Sequence, residues 1–212
     1  MSKIRIITGH FGSGKTEIAI NMAMETDNCA IVDLDTVNPY FRTADAEKAL
    51  CENGVRVILP PFARTNVDIP VIPPEVFSVF ESGENVVFDV GGDDDGALAL
   101  GMYNRFFLDC GYEMYFVVCA TRPLTQTAED VISLIRDVEV ASRLRVTHLI
   151  NNTHYGKMTD KEIILKGQAL CEQVSSETGI PIAFTTAPES LIPELQINNP
   201  LKALDLYINL PF

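Results

Sequence analysis

A glycine-rich segment between a strand-like run and a helix-like run constrains the fold of this chain more than any other feature. The segment reads GHFGSGKT from Gly9 to Thr16 and matches the pattern G-x-x-x-x-G-K-[ST] without a gap. A β-branched run at 4–8 precedes it, and apolar residues at helical spacing follow it at 18–23. In a strand–loop–helix unit, the backbone N–H groups of the loop point inward and the helix N-terminus adds partial positive charge. The segment therefore predicts a phosphate-binding loop.

Each position of this loop has an expected role. We expect Lys15 to lie along the β- and γ-phosphates of a nucleotide and to act in catalysis, and the Thr16 hydroxyl to ligate Mg²⁺. The residues expected to contact the nucleotide are Gly9, Gly12, Ser13, Gly14, Lys15 and Thr16. The alternative is a glycine turn that precedes a Lys-Thr pair by chance, and the strand–loop–helix context argues against it.

Strand-like and helix-like runs alternate along the whole chain. The strand-like runs are apolar without alternation, which is typical of parallel strands buried on both faces, and they lie at 4–8, 29–33, 55–59, 85–90, 114–120, 146–151 and 181–186. Helical periodicity is found at 14–26, 40–52, 94–109, 124–142 and 160–178, with a short helix at 74–82. The pattern predicts one doubly wound α/β domain over 1–212, with a mostly parallel sheet of about seven strands and a P-loop NTPase fold.

Acidic residues follow two of the strand-like runs. Strand alternation places Asp33 and Asp35 on the same side of the chain, and Asp89 ends the run at 85–90. Such carboxylates suit Mg²⁺ and a polarised water, so Asp33, Asp35 and Asp89 are candidate residues for a metal site with its water. Gly92 completes a D-x-x-G pattern whose N–H could contact a γ-phosphate. The alternative for Asp33 and Asp35 is a solvated pair that opens a loop. For the acidic run 93–95 we favour a helix cap with solvated charge, and further metal ligands are the alternative.

Composition restricts the partners. The formal net charge is −13, with 29 acidic against 16 basic residues, which disfavours a nucleic-acid backbone as partner. No apolar run is long enough to span a membrane, and no signal-peptide pattern precedes the first strand-like run. The five cysteines are scattered without a C-x-x-C motif, which favours reduced thiols, a cytoplasmic location and no zinc or iron–sulfur site within one chain.

These motifs together resemble the P-loop ATPases of the MinD/ParA and CobQ/CobB group over about residues 3–155. The resemblance implies Mg²⁺ and ATP as cofactors, with Thr16 on the metal and Asp33 near the metal's water shell. It also implies that Asp35 positions the attacking water and that Asp89 is the acid at the strand end.

The resemblance further implies nucleotide-sandwich dimers, in which the first lysine of a G-K-G-G-x-G-K-T loop reaches the other subunit. Here His10 replaces that lysine and Phe11 the following glycine. A histidine is shorter and mostly neutral near pH 7. Either His10 donates a weaker hydrogen bond to the phosphates, or it contacts the next helix and takes no part in the reaction. We favour the second interpretation.

Base recognition is predicted at the end of the run at 146–151. The resembling ATPases often recognise adenine with an Asn there, and Asn151 and Asn152 stand at this place. An amide both donates and accepts, which suits adenine. The guanine signature N-K-x-D is absent, because Thr153 stands where the Lys is needed. A turn-forming Asn pair is the alternative.

The favoured interpretation is a Mg²⁺-dependent, slowly hydrolysing ATPase that acts as a nucleotide switch on an unidentified protein partner, with homodimerisation left open. A small-molecule kinase or ATP-dependent ligase, and a nucleotide-binding module without turnover, are the alternatives. The proline-rich segment at 60–74 is either a stiff connector or a loop for a partner or substrate, with Asp68 the first residue to test.

Overall fold

One parallel sheet organises the residues that the computed structural model describes, which are 3–34, 43–59, 75–92 and 94–208. Its strands are β1 (Ile4–Gly9), β2 (Cys29–Asp33), β3 (Arg56–Ile58), β4 (Asn85–Asp89), β5 (Glu113–Val118), β6 (His148–Asn151), β7 (Ile182–Thr186) and β8 (Leu201–Lys202). The helices are α1 (Lys15–Met24), α2 (Glu47–Glu52), α3 (Glu75–Val79), α4 (Asp94–Met102), α5 (Asn104–Cys110), α6 (Ala128–Ser142) and α7 (Lys161–Thr178). Two 3₁₀ turns, Thr43–Ala46 and Glu189–Glu194, complete the described elements.

The strand order is β3-β2-β4-β1-β5-β6-β7-β8, and every pairing is parallel. From β1 the chain crosses to β2 and β3 on one side and returns to β4, between β2 and β1. It then continues through β5 to β8 on the other side, which is the doubly wound arrangement that the sequence predicts. Ligands of such open sheets bind at the carboxyl ends of the strands where the order reverses. In this sheet that point lies at the end of β1.

Apolar side chains cover both faces of the sheet. In β1, Ile6 packs into one cluster and Ile7 into the other, and Phe116 and Val117 of β5 divide in the same way. The first cluster includes side chains of α3 to α7, and the second includes side chains of α1 and α2. Because successive side chains point to opposite faces, two covered faces require an apolar residue at every strand position. This explains the apolar runs without alternation.

The observed helix boundaries differ from those that the periodicity predicts. The helix expected at 124–142 begins at Ala128, where the Thr127 hydroxyl caps it by accepting the Asp130 N–H at 3.2 Å. The helix expected at 94–109 divides into α4 and α5 around Tyr103. Near this break, a Cβ on Gly101 would meet the Ala141 carbonyl oxygen at 2.8 Å, so α4 crosses α6 closely there.

An eighth strand was not predicted. Strand β8 has only two residues, Leu201 and Lys202, and pairs with Thr185 and Thr186 of β7. Two residues carry no periodicity that a sequence could show, so only the tertiary pairing reveals this strand. In the described ranges no helix is both long and apolar enough to cross a membrane.

Candidate functional site

The glycine-rich loop joins β1 to α1 at the carboxyl edge of the sheet. Its glycines have φ angles of +145° at Gly9, +73° at Gly12 and +86° at Gly14, a backbone region that favours glycine. The Ser13 N–H donates to the His10 carbonyl at 3.1 Å and closes the turn. Gly14 caps α1 without a side-chain hydrogen bond, so the first N–H groups of the helix are available to an anion.

Two glycines allow the loop to pack against its neighbours. A Cβ on Gly9 would lie 2.5 Å from the Val117 carbonyl oxygen of β5. A Cβ on Gly92 would lie 1.9 Å from the Gly9 carbonyl oxygen. The loop is therefore in backbone contact with β5 on one side and with the segment after β4 on the other. The predicted contact of the Gly92 N–H with a γ-phosphate stays a prediction.

Three side chains of the loop are buried, those of Ser13, Lys15 and Thr16. Lys15 is 5 % exposed, and its Nζ lies 3.5 Å from the His10 carbonyl oxygen, a long hydrogen bond. Among the described residues, the buried hydroxyls of Thr8 and Ser13 have no hydrogen-bond partner. A buried hydroxyl without a partner costs about 1–3 kcal/mol. A phosphate oxygen in the loop would accept a hydrogen bond from the Ser13 hydroxyl, so the loop fits a phosphate.

Carboxylates from two neighbouring strands end beside the loop. Asp33 of β2 and Asp89 of β4 are paired in register, and each is 1 % exposed. The Thr43 hydroxyl donates to Asp89 Oδ2 at 3.2 Å. Thr16 lies in the first turn of α1 and is buried. The strand order thus brings three predicted metal residues to one edge of the sheet, whereas Asp35 lies outside the described residues, as do Asp68 and the whole 60–74 segment.

The predicted metal residues offer oxygen donors, the kind that Mg²⁺ prefers. No group of three or more His, Cys, Asp or Glu side chains that could hold a metal occurs in the ranges that the structure describes. Mg²⁺ usually keeps several waters and takes one or two carboxylates together with phosphate oxygens. Thr16, Asp33 and Asp89 offer such an incomplete oxygen set.

The two asparagines predicted to contact a base are both buried and hydrogen-bonded within the chain. The Asn152 amide donates to the Ser13 carbonyl at 2.7 Å and accepts from the Thr186 hydroxyl at 2.5 Å. Asn151 Oδ1 accepts the Thr153 N–H at 3.1 Å. Asn152 would have to release the loop in order to contact a base, and base recognition by either residue stays a prediction.

The sequence analysis missed Arg122. This residue follows β5, and its Nε donates to the Gly12 carbonyl at 2.9 Å. His154, after β6, lies near the same loop, because its Nε2 is 3.8 Å from the position of a Cβ on Gly14. The only sequence signal for Arg122 is its place after a strand-like run, and that signal becomes useful once β5 is known to adjoin β1.

His10 is held in its neutral form. Partial burial lowers the pKa of the His10 imidazole, and the nearby Lys15 charge lowers it further. Because the ordinary value is about 6.5, the imidazole is predominantly uncharged at pH 7. The loop uses the His10 carbonyl, which any residue could supply. These observations agree with a non-participating side chain, and the role of His10 stays a prediction.

No protein-family model matches the chain, and no curated protein matches its sequence. Among solved structures, the cell division protein FtsY from Thermotoga maritima is similar, with a TM-score of 0.60, 20% identity and coverage of 89% of this chain and 63% of that one. FtsY from Mycoplasma mycoides has a TM-score of 0.57 and 17% identity, with 89% and 61% covered. The signal recognition particle 54 kDa protein from Aeropyrum pernix, in complex with GDP, has a TM-score of 0.56 and 19% identity, with 87% and 41% covered.

These similarities show the fold. The chain is a single α/β domain with the fold of P-loop NTPases, as the sequence predicts. The chain spans less than two thirds of the length of each of these structures. The finer likeness to the MinD/ParA and CobQ/CobB group is not among these findings and stays a prediction.

Proposed function

We propose that this protein binds a Mg²⁺–nucleoside triphosphate at the carboxyl edge of β1 and acts as a slowly hydrolysing nucleotide switch on a protein partner. The observation that carries the proposal is the loop from Gly9 to Thr16. It combines left-handed glycines, an uncapped helix N-terminus, the buried Lys15 and a buried Ser13 hydroxyl without a partner in the described chain. Each of these features favours an anion, and a phosphate satisfies all of them.

The residues around the loop have separate proposed tasks. Lys15 binds the β- and γ-phosphates, and the Thr16 hydroxyl together with the Asp33 and Asp89 carboxylates would hold Mg²⁺. The ion, when bound, would offset the negative charge of the phosphates. Asp35 is proposed to orient the attacking water, on the strength of its place two residues after Asp33 in the sequence.

We propose ATP as the nucleotide. The guanine signature is absent, because Thr153 replaces its lysine, and this is the support for adenine. The similar Aeropyrum pernix structure holds GDP, so GTP is the nucleotide against which ATP must be compared. The guanine signature would supply an Asn amide and an Asp carboxylate to hydrogen-bond the base. Without that pair, the site must distinguish adenine from guanine by its other contacts to the base.

A protein partner, including a second copy of the chain, is proposed from the rim of the site. Three large apolar or aromatic side chains are exposed here. They are Phe11 of the loop (60%), Leu124, two residues after Arg122 (62%), and Tyr155. Exposed apolar side chains beside a ligand site are typical of interaction surfaces. We also propose a cytoplasmic location, because the five cysteines are free thiols.

Calorimetry with MgATP and MgGTP tests the binding proposal. We expect wild-type protein to bind MgATP more tightly than MgGTP, and Lys15→Ala to lose measurable binding because the phosphates lose their buried cation. Circular dichroism should show that the variant keeps its fold. Unchanged affinity in Lys15→Ala would overturn the assignment of the loop.

Turnover separates the switch from its alternatives. Asp35→Ala should lower phosphate release by about 100-fold or more with little loss of MgATP affinity, if Asp35 orients the water. Adding cell extract fractions should raise the wild-type rate when they contain the partner. Transfer of phosphate to a small molecule would favour a kinase or ligase, and binding with no turnover in any fraction would favour a module without catalysis.

A further inference from the structure

The guanidinium of Arg122 lies against the phosphate loop. Arg122 follows β5, the neighbour of β1, and its Nε donates to the Gly12 carbonyl at 2.9 Å. A Cβ on Gly12 would lie 3.4 Å from that Nε, an ordinary van der Waals distance, so the guanidinium packs against the loop backbone. The side chain is exposed. It thus contacts the loop without being enclosed by the protein.

The segment that carries Arg122 is held by hydrogen bonds. The Arg122 N–H donates to the Cys119 carbonyl at 3.0 Å. The Thr125 hydroxyl, which is buried, lies 2.8 Å from the Cys119 carbonyl oxygen and 3.2 Å from the Arg122 carbonyl oxygen. The Thr121 hydroxyl donates to the His154 carbonyl at 2.9 Å. A segment tied in this way presents its arginine in a defined place, which lowers the entropy lost on binding a ligand.

Arg122 and Asn152 together hold two consecutive peptide units of the loop. Arg122 binds the carbonyl of the Gly12–Ser13 peptide, and the N–H of the same peptide donates to the His10 carbonyl at 3.1 Å. Asn152 binds the next carbonyl, that of Ser13. In a trans peptide the carbonyl and the following N–H point in opposite directions. Fixing these carbonyls therefore fixes the directions of the N–H groups at positions 13 and 14.

Arg122 also changes the electrostatics of the site. Arginine stays charged at every physiological pH, and the bond from Nε leaves the two terminal NH₂ groups for other acceptors. Burial lowers the pKa of His154, and the Arg122 charge lowers it further. The imidazoles of His10 and His154 are thus both disfavoured in their charged forms. Lys15 and Arg122 are basic side chains that each contact a carbonyl of the loop.

We propose that Arg122 is a positioning residue of the phosphate loop that also supplies its second permanent positive charge, so that a bound polyphosphate lies between Lys15 and Arg122. This inference rests on the proposed nucleotide-binding function. It assigns the orientation of the Gly12–Ser13 peptide and part of the attraction for phosphate to one side chain outside the sequence motif.

The first experiment measures the affinity of Arg122→Ala for MgATP, MgADP and inorganic tripolyphosphate by calorimetry. A charge-assisted hydrogen bond is lost together with a charge, so we expect affinity for MgATP and tripolyphosphate to fall about 10- to 100-fold. Arg122→Lys should recover part of the loss, because it restores the charge without the planar donor. Arg105→Ala is the matched control, since it removes an exposed arginine on α5 and changes the net charge equally.

The second experiment needs no nucleotide. Hydrogen exchange of the Ser13 amide should be faster in Arg122→Ala than in wild type, and unchanged in Arg105→Ala. Equal exchange in wild type and Arg122→Ala would overturn the positioning role, and equal affinity in variants that fold normally would overturn the role of the charge. A wild-type protein that binds no nucleotide would contradict the proposed function instead, while the exchange experiment would still test the position of Arg122.

Discussion

Asn152 lies between the phosphate loop and β7, and its amide is hydrogen-bonded on both sides. The Nδ2 group donates to the Ser13 carbonyl at 2.7 Å, and Oδ1 accepts from the Thr186 hydroxyl. A Cβ on Gly14 would lie 2.3 Å from Nδ2, so the glycine permits this contact. An amide used in this way shapes the loop, and its base-reading capacity is not available while both bonds are made.

Asn152→Ala should weaken the binding of MgATP and MgGTP by the same factor, because the loop loses a tie that both nucleotides need. It should also lower the free energy of unfolding by about 1–3 kcal/mol, since the buried Ser13 carbonyl and Thr186 hydroxyl lose a partner. Calorimetry and urea unfolding are the measurements. Asn53→Ala is the control, because it removes an exposed side-chain amide that donates to the Ala49 carbonyl. A loss confined to MgATP would instead support adenine recognition by Asn152.

His10 shows the difference between a residue's backbone and its side chain. The loop uses its carbonyl, which accepts from the Ser13 N–H and from Lys15 Nζ. Partial burial and then the Lys15 charge lower the pKa of its imidazole, which disfavours the charged form. Replacement of the side chain leaves both backbone contacts possible. The structure thus shows what the His10 carbonyl does in the loop, while the role of the imidazole stays a prediction.

At the scale of elements, α7 approaches the carboxyl end of β6 through a glycine. A Cβ on Gly167 would lie 2.1 Å from the Thr153 hydroxyl oxygen and 2.5 Å from Asn151 Oδ1. Both of these oxygens accept hydrogen bonds, from the Ala120 N–H at 3.0 Å and the Thr153 N–H at 3.1 Å. The helix therefore packs directly on the hydrogen bonds that shape the edge of the site.

Two opposing effects decide the sign of Gly167→Ala. Alanine is favoured over glycine inside a helix by about 1 kcal/mol. Overpacking a close contact costs about 1–3 kcal/mol, and here two hydrogen bonds must also move. We expect a net loss of about 1–2 kcal/mol in urea unfolding, together with weaker MgATP binding. Ser176→Ala, on the exposed side of α7, should be neutral or slightly stabilising. Stabilisation by Gly167→Ala would mean that α7 can move away without cost.

At the scale of the whole molecule, helix α1 joins the phosphate loop to the last described residues. The Glu17 carboxylate accepts the Tyr207 N–H at 3.1 Å and the Ile208 N–H at 2.8 Å. Asn21 exchanges two hydrogen bonds with the Asp205 backbone, at 2.8 and 2.9 Å. Ile208 is buried in the same apolar cluster as α1. Residues 205–208 are therefore packed against α1.

Removing the Glu17 carboxylate should loosen this attachment. Burial raises the pKa of Glu17, and the two backbone hydrogen bonds lower it by less, so the charged group is held at a cost. Glu17→Ala should lower the free energy of unfolding by about 1.5–3 kcal/mol, the usual value for hydrogen bonds to a charged group. The Tyr207 and Ile208 amides should exchange faster. Glu17→Gln should lose less, because its amide oxygen still accepts.

Glu25→Ala is the control for this prediction. It removes an ion pair with Lys202 in which the Glu25 side chain is half-exposed, so less than about 1 kcal/mol should be lost. Equal losses in Glu17→Ala and Glu25→Ala would show that the attachment depends on general charge and not on the buried carboxylate.

Local pattern predicted most of the elements. The seven predicted strands all occur, because each needs only a short apolar run that is buried on both faces. The break between α4 and α5 and the two-residue β8 escaped prediction, and both lie beside contacts with distant parts of the chain. Gly101 contacts α6, and Leu201 pairs with β7. Asp35, Asp68 and the 60–74 segment lie outside the described residues, so the predictions made for them stay predictions.

The sequence by itself determined the glycine-rich loop, the α/β class and the acids at the strand ends, because each depends on residues adjacent in the chain. Only the tertiary structure decided that Asp33 and Asp89 are paired in register, that Asn152 holds Ser13 and that Arg122 holds Gly12. The two residues of each contact are separated in the sequence by 56, 139 and 110 positions, respectively. No local pattern carries such pairings, since the order of the strands is set by how the two apolar faces of the sheet are covered.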